Sequence, residues 1–135
     1  MALVTWDASY SVNVKRCDAD HQKLFYLINT LHEAMKSGQG RTIIAGIVHE
    51  LEGYTQTHFL AEEALLQRAQ YPNLNDHRLQ HQEFVAQVKQ FRDDLDARGT
   101  ANSIAVLTFL KDWLANHIKR TDKGYSEYLN SQGIS

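Results

Sequence analysis

The sequence predicts an all-α protein, an up-down-up-down antiparallel four-helix bundle with an extended N-terminal arm. Three observations predict it: side chains of the core type recur at helical spacing in four long segments, clear breaks separate the segments, and alternating strand-like stretches are few. Short connections make sequential helices antiparallel neighbours. The 135 residues suit one domain, residues 1–135.

Residues 1–17 form the predicted arm, because they do not fit a helix and residues 12–14 have an extended pattern. The first helix is predicted at about residues 18–37, and Gly38 stops it. Its core-facing stripe has spacings of three and four residues and consists of His21, Leu24, Ile28, Leu31 and Met35.

The second helix is predicted at about residues 42–70, between an N-cap at Thr42 and a break at residues 71–73. Its stripe has the same helical period and therefore also faces a core. The stripe consists of Ile44, Ile47, Leu51, Tyr54, His58, Glu62, Leu65 and Ala69.

The third and fourth helices are predicted at about residues 75–97 and 102–129, with Asn75 and Asn102 as N-caps and Gly99 as the stop between them. The stripe of the third helix consists of His77, His81, Phe84, Val88, Phe91 and Leu95. The stripe of the fourth helix consists of Ile104, Leu107, Leu110, Leu114, His117 and Thr121.

Seven side chains able to bind metal fall on or beside these core stripes: His21, His58, Glu62, His77, His81, His117 and Asp122. Burying each such group without a partner costs several kcal/mol. A metal centre would offset that cost. Because alternate helices run in opposite directions, all seven gather towards one end of the bundle. His117 and Asp122 fit less well, since a spacing of five turns two side chains about 140° apart on an α-helix.

The number of ligands indicates two metal ions rather than one. Five imidazoles, two bridging carboxylates and a bridging oxide or hydroxide would leave one position open on a pair of octahedral ions. Nitrogen and oxygen ligands without thiolate suit iron, and manganese less well. Zinc prefers four ligands, which would leave several of these side chains unused.

The combined spacing of the seven residues resembles the pattern of the hemerythrin family, and the chain looks most like its single-domain bacterial members. The resemblance implies two iron ions bridged by oxide or hydroxide, Glu62 and Asp122. It assigns the remaining ligands to two irons: His77, His81 and His117 to one, and His21 and His58 to the other, which has the open position.

The resemblance also implies reversible O2 binding, in an oxygen carrier, store or delivery protein. Apolar side chains would then line the O2 pocket, and the candidates are Leu24, Phe59, Trp113, Leu114 and Ile118. Trp113 fits an ordinary core position equally well.

Two other function classes stay open, an oxygen or redox sensor and a di-iron enzyme acting on peroxide or nitric oxide. Carboxylate-rich di-iron oxidases use Glu-x-x-His pairs, and the sequence contains none. Five imidazoles against two carboxylates therefore favour O2 binding, and we expect the protein not to be an enzyme.

Composition limits the partners and the location. A net charge of −2 without a basic stripe argues against nucleic acid, and the apolar runs are too short to enter a membrane. The single cysteine, Cys17, allows no internal disulfide, and no signal peptide is apparent, so we expect a cytoplasmic protein and a monomer. His32, His49 and Glu63 are predicted to lie outside the centre, Glu63 as a surface charge.

Overall fold

A computed structural model describes residues 3–135, which form four long helices preceded by an arm. Met1 and Ala2, the first residues of the predicted arm, lie outside the described residues. The helices are α1 (Lys15–Lys36), α2 (residues 40–68), α3 (Leu74–Arg98) and α4 (residues 103–131). α1 packs against α2 and α4, and α2 packs against α3. The rings of Phe84 on α3 and Trp113 on α4 lie 4.6 Å apart, which completes an all-helical four-helix bundle.

The first helix begins at Lys15, three residues before the position that its stripe indicates. The carboxylate of Asp18 accepts hydrogen bonds from the backbone N–H of Val12 (2.8 Å) and the hydroxyl of Ser11 (2.6 Å). This contact ties the end of the arm to the first turn, so that Val14 is the last extended residue. The apolar stripe alone does not contain this signal.

The arm lies along α1 and contains one short 3-10 turn, Ala8–Tyr10. The side-chain amide of Asn29 in α1 accepts from the backbone N–H groups of Leu3 and Val4 and donates to the Val4 carbonyl at 2.9 Å. One amide therefore satisfies three backbone groups that no sheet or helix pairs.

Two of the four helices contain a π-helical segment. In α2 the segment Thr55–Phe59 separates the α-helical parts Gly40–Tyr54 and Leu60–Arg68. In α4 the segment Leu114–Asp122 separates Ser103–Trp113 from Lys123–Ser131. A π turn is wider than an α turn, because its hydrogen bonds join residues five apart.

The wide turn in α4 removes the difficulty with His117 and Asp122. Two residues five apart lie on nearly the same side of a π-helical turn, whereas they diverge on an α-helix. The two side chains accordingly meet, with His117 Nε2 at 2.7 Å from Asp122 Oδ1. The expected divergence of about 140° is wrong for this helix, because its backbone there is not α-helical.

Turns and caps set the remaining helix ends. Gly99 adopts a φ of 74° after the end of α3, and the Asn102 side chain caps α4 by accepting from the Ala105 N–H at 3.1 Å. The cap at Asn102 is confirmed. The other two helices begin before their predicted caps, α2 at Gly40 and α3 at Leu74.

Two apolar clusters fill the bundle. The larger runs from Leu24 on α1 to Ile118 on α4, and the smaller joins the arm to the ends of α1, α2 and α4 around Tyr125. Along α1, α2 and α4 the predicted metal ligands stand in sequence between members of the two clusters. The structure thus encloses a polar layer between two apolar ones. No helix within residues 3–135 combines the length and hydropathy needed to cross a membrane.

Two glycine substitutions test the backbone assignments. Gly99→Ala should lower the free energy of unfolding by about 1 kcal/mol or more, because alanine resists the left-handed conformation although nothing blocks its Cβ. The matched change Gly46→Ala, in open space within α2, should raise it by about 0.5–1 kcal/mol. Urea denaturation measures both values, and a stabilising Gly99→Ala would contradict the assigned turn.

Candidate metal centre

The structure buries all seven predicted ligand side chains and brings them together. None is more than 2% exposed. Their potential ligand atoms form two groups, each lying within 4.8 Å of one another. The three-histidine group consists of His77, His81, His117, Glu62 and Asp122. The two-histidine group consists of His21, His58, Glu62 and Asp122.

Each carboxylate turns one oxygen to each histidine group. Glu62 Oε1 lies 2.6 Å from His77 Nε2 and 3.1 Å from His81 Nε2, while Glu62 Oε2 lies 3.1 Å from His58 Nε2. Glu62 therefore lies between the two groups in the orientation of a bridging ligand.

Asp122 repeats the arrangement from α4. Its Oδ1 lies 2.7 Å from His117 Nε2 and 3.0 Å from His77 Nε2, and its Oδ2 lies 3.1 Å from His21 Nε2. Glu62 and Asp122 come from different helices, so the bridge also joins α2 to α4.

The donor atoms fit metal ions. Atoms bound at about 2.1 Å around one octahedral ion lie roughly 3 Å apart. Four of the contacts between ring nitrogens and carboxylate oxygens are 3.0–3.1 Å long, and the others range from 2.6 to 3.5 Å. Several of these atoms are buried without an aligned hydrogen bond: Nε2 of His21, His81 and His117, and both oxygens of Asp122. Close packing without hydrogen bonds suits atoms that converge on shared cations.

A second set of contacts orients three of the histidines from outside. In each, the ring Nδ1–H donates to an oxygen on the preceding helix, which leaves Nε2 directed at the centre. The pairs are His58 with Asp20 (2.9 Å), His81 with Glu63 (2.8 Å) and His117 with Gln80 (2.7 Å).

Glu63 corrects an expectation from the sequence. Its predicted place as a solvated surface charge is wrong, because its carboxylate binds both His81 and the Arg78 guanidinium, at 3.2 Å from Arg78 Nε. A rotation of about 100° from Glu62 takes the side chain out of the centre, but α3 lies on that side. The positions of side chains around one helix do not show where a neighbouring helix packs.

Sequence reasoning also missed Asp20, Gln80 and Tyr125. The Tyr125 hydroxyl donates to Glu62 Oε2 at 2.9 Å and so fixes one end of the carboxylate. The available signal is position: Asp20 and Gln80 adjoin ligand histidines, and Tyr125 follows Asp122 by one helical turn. Position alone does not reveal which adjacent polar residue takes such a role.

The buried charges shift the pKa values of the cluster. Burial opposes the charged form of His21, but the adjacent carboxylates of Asp122 and Glu62 outweigh it and raise the pKa of His21 to about 10. The same causes raise the pKa of His77 to about 10. At His117 burial prevails and lowers the pKa.

The two carboxylates respond in the opposite direction. Burial favours their neutral forms, but the charge of His58 and the contacts with the other histidines hold the pKa of Glu62 well below its usual range. The charge and contact of His117, together with His21, likewise lower the pKa of Asp122 against burial and the repulsion of Glu62. The carboxylates are thus ionised, as metal binding requires.

Aromatic rings cover the centre. Phe59 stacks on His81 with centroids 3.8 Å apart, and Trp113 stacks on His117 at 3.9 Å. The ring of Tyr54 lies 5.0 Å from that of His58. Phe59 and Trp113 thus pack mainly against the three-histidine group, and Tyr54 against the two-histidine group.

The predicted O2-pocket residues are all buried in the larger apolar cluster: Leu24, Phe59, Trp113, Leu114 and Ile118. Two other histidines lie apart from the site, His32 half-buried and His49 exposed, and neither belongs to the two ligand groups. Cys17 lies in the smaller apolar cluster, where burial raises the pKa of its thiol.

The fold and the centre define a four-helix protein with a buried cluster able to hold metal. The family model "Hemerythrin HHE cation binding domain" matches residues 12–129, and the chain belongs to the hemerythrin family. It is 31% identical over 131 residues to a bacteriohemerythrin of Stenotrophomonas maltophilia (97% of this chain, 84% of that protein). It is 30% identical over 132 residues to a bacteriohemerythrin of Methylococcus capsulatus (97% and 100%).

Further relatives and solved structures are also similar to this chain in sequence and in fold. Myohemerythrin-1 of Phascolopsis gouldii is 34% identical over 124 residues, 92% of each chain. The crystal structure of a wild-type hemerythrin aligns with a TM-score of 0.84 at 30% identity, over 95% of this chain and 98% of that chain. A variant with tyrosine in place of a leucine gives a TM-score of 0.85 over 96% and 98%.

The raised histidine pKa values predict how the metal-free protein responds to pH. His21 and His77 keep their protons to about pH 10 when folded but lose them near 6.5 when unfolded, so their stabilisation is complete below 6.5 and declines above it. Between about pH 7 and 9, urea denaturation of the iron-free protein should show a loss of about 1 kcal/mol or more per pH unit.

The variant His21→Gln should reduce this pH dependence, because it removes one of the two groups. The matched variant His49→Gln should not, because His49 is exposed and outside the cluster. A stability that is flat or rises over this pH interval would contradict the assigned protonation.

The contact between Glu63 and His81 predicts an effect on metal affinity. Glu63→Gln keeps the acceptor oxygen but removes the charge that increases the basicity of His81, so iron affinity should fall by roughly 10-fold. Competition with a chelator measures the affinity. Glu127→Gln on the exposed face of α4 is the control, and equal affinities in the two variants would refute the orienting role.

Proposed function

We propose that this protein binds O2 reversibly at a non-haem di-iron centre, as an oxygen carrier, store or delivery protein. One observation carries the proposal: Glu62 and Asp122 each direct one oxygen to the three-histidine group and the other to the two-histidine group. A single ion needs no such division, whereas two adjacent ions do.

The division also supports a ligand assignment. One iron would be held by His77, His81 and His117, and the other by His21 and His58. Glu62, Asp122 and an oxide or hydroxide would bridge them. Neutral nitrogen and carboxylate oxygen are donors that suit iron, and the one cysteine, Cys17, does not belong to either group.

The two ion positions differ in the number of protein ligands. The three-histidine group offers five residues and the two-histidine group four, counting both bridges in each. An open position therefore belongs on the two-histidine side. When bound, the two irons supply the electrons and the coordination position that O2 binding requires.

The task of the chain is then to orient the ligands and exclude water. Asp20, Glu63 and Gln80 hold three rings, and the Tyr125 hydroxyl holds Glu62. The proposed pocket lining is Leu24, Phe59, Trp113, Leu114 and Ile118, none more than 9% exposed. Apolar walls without acids or bases favour binding over further reaction of the ligand.

A binding role rather than an enzymatic one agrees with the five imidazoles and with family membership. We further expect a monomer that acts in the cytoplasm, and both expectations stay predictions.

Iron content and visible spectra test the function directly. We expect two irons per chain and a visible charge-transfer band that appears with O2 and disappears when O2 is removed. Glu62→Gln should lose iron and the band, because the amide nitrogen cannot replace a bridging oxygen, whereas Glu127→Gln should keep both. Fewer than two irons would overturn the di-iron centre, and irreversible oxidation by air would favour a sensor or an enzyme.

The pocket lining predicts the rate at which the oxygenated protein oxidises itself. Leu114→Ala should accelerate this decay several-fold, because the shorter side chain admits water next to the open position. Stopped-flow absorbance measures the rate. Leu31→Ala is the matched cavity control: it is equally buried in the same cluster but lies about 15 Å along α1 from His21. A decay no faster than that of the wild type would remove Leu114 from the pocket.

A further inference from the structure

Tyr54 places a hydroxyl beside the centre that pairs with nothing in the described chain. The residue ends the first α-helical part of α2, one turn before His58, and is 2% exposed. Its ring lies against the His58 ring, with centroids 5.0 Å apart and planes at 25°. The hydroxyl oxygen is buried and has no hydrogen-bond partner among residues 3–135.

An unpaired hydroxyl at this depth is unusual, because native proteins pair nearly all of their buried donors. The rings around Tyr54 belong to His58, Phe59 and Phe84, and the two phenylalanines offer no acceptor. Tyr125, the other deeply buried tyrosine at the centre, does pair, since its hydroxyl donates to Glu62. An acceptor for Tyr54 is therefore absent from residues 3–135 and would have to come from a bound molecule.

The position of Tyr54 indicates which acceptor. Residues four apart share a helix face, and Tyr54, His58 and Glu62 follow one another at that spacing. His58 belongs to the two-histidine group, which has fewer protein ligands and would therefore leave a coordination position for a small molecule. A tyrosine hydroxyl carries its proton near neutral pH, so Tyr54 is available as a hydrogen-bond donor.

We propose that the Tyr54 hydroxyl donates a hydrogen bond to the small ligand at the open position on the two-histidine side, O2 in the working protein or an anion such as azide. The proposal rests on the proposed function and makes the pocket polar at one point. A donor at that point stabilises negative charge on the ligand and slows its release.

Trp113 provides a contrast within the same centre. Its indole Nε1 is also buried without a partner, but the ring stacks on His117, in the three-histidine group. That group already offers five protein ligands, so the same reasoning does not place the open position on the ion beside His117, although the Trp113 ring belongs to the proposed pocket lining. Among the described side chains outside the two ligand groups, Tyr54 is the one that stacks on a histidine of the two-histidine group and has an unpaired buried donor.

The variant Tyr54→Phe tests the contact, because it removes only the hydroxyl. We expect the dissociation constant of azide from the oxidised, iron-loaded protein to rise roughly 10- to 100-fold, as for loss of a hydrogen bond to a charged group. The O2 dissociation rate, measured by stopped flow, should also rise. The azide affinity of the wild type should change in D2O, and that change should disappear in Tyr54→Phe.

Tyr128→Phe is the matched control. The Tyr128 hydroxyl donates to the carbonyls of Ala69 and Gln70, away from both ligand groups. This control should lower the urea midpoint of the iron-free protein and leave azide affinity unchanged. Tyr54→Phe should do the reverse, because its hydroxyl has no protein partner to lose.

The outcomes separate the two proposals. Unchanged azide affinity and O2 release in Tyr54→Phe would overturn the contact, as would a lower urea midpoint with unchanged affinity, which would indicate a structural water. A wild type that binds azide but not O2 reversibly would overturn the proposed function, and the azide shift would still decide the contact. A wild type that binds neither would overturn both.

Discussion

Two buried carboxylates shared among five imidazoles are the constraint on which the rest of the molecule depends. Glu62 and Asp122 are each 1% exposed, and an ionised carboxylate at that depth requires charged partners. The partners come from all four helices, since His21 lies on α1, His58 on α2, His77 and His81 on α3, and His117 on α4. A slide of any one helix by a turn would separate a histidine from its carboxylate. The cluster therefore fixes the relative heights of the helices, which apolar packing alone specifies less sharply.

The π-helical segments allow the backbone to direct its histidine and carboxylate side chains into this buried cluster. A regular α-helix would direct His117 and Asp122 to different sides, and a π turn brings them within 2.7 Å of each other. The second segment, Thr55–Phe59, contains His58 and lies beside the same layer of the bundle. Such segments have poorer backbone geometry than an α-helix, so their occurrence at ligand positions in both helices indicates that the centre sets the backbone here.

The helical period, the glycine stops and the short connections predict the fold class, because each is a local property that survives packing. The burial of the seven candidate ligands can also be predicted, since a histidine or glutamate on an otherwise apolar stripe is costly to bury unless a partner compensates it. The π-helical segments and the contacts of Glu63 and Gln80 cannot be predicted from the sequence alone. The π-helical segments form where the position of the buried cluster is incompatible with a regular α-helix. The contacts of Glu63 and Gln80 depend on which neighbouring helix each side chain faces. Both arise only when four helices pack together.

The outer hydrogen bonds follow the chain around the bundle in one direction. Asp20 on α1 holds a ring on α2, Glu63 on α2 holds one on α3, and Gln80 on α3 holds one on α4. Each acceptor adjoins a candidate metal ligand in sequence, so α1, α2 and α3 each supply a candidate ligand and orient a histidine of the next helix. The series stops between α4 and α1, where His21 Nδ1 has no hydrogen-bond partner among residues 3–135. α4 and α1 instead meet at the buried cluster, where Asp122 Oδ2 lies 3.1 Å from His21 Nε2. Removal of metal from the proposed centre should therefore loosen the contact between α4 and α1 before the other three, because within residues 3–135 only this pair of helices lacks an outer hydrogen bond to a histidine ring.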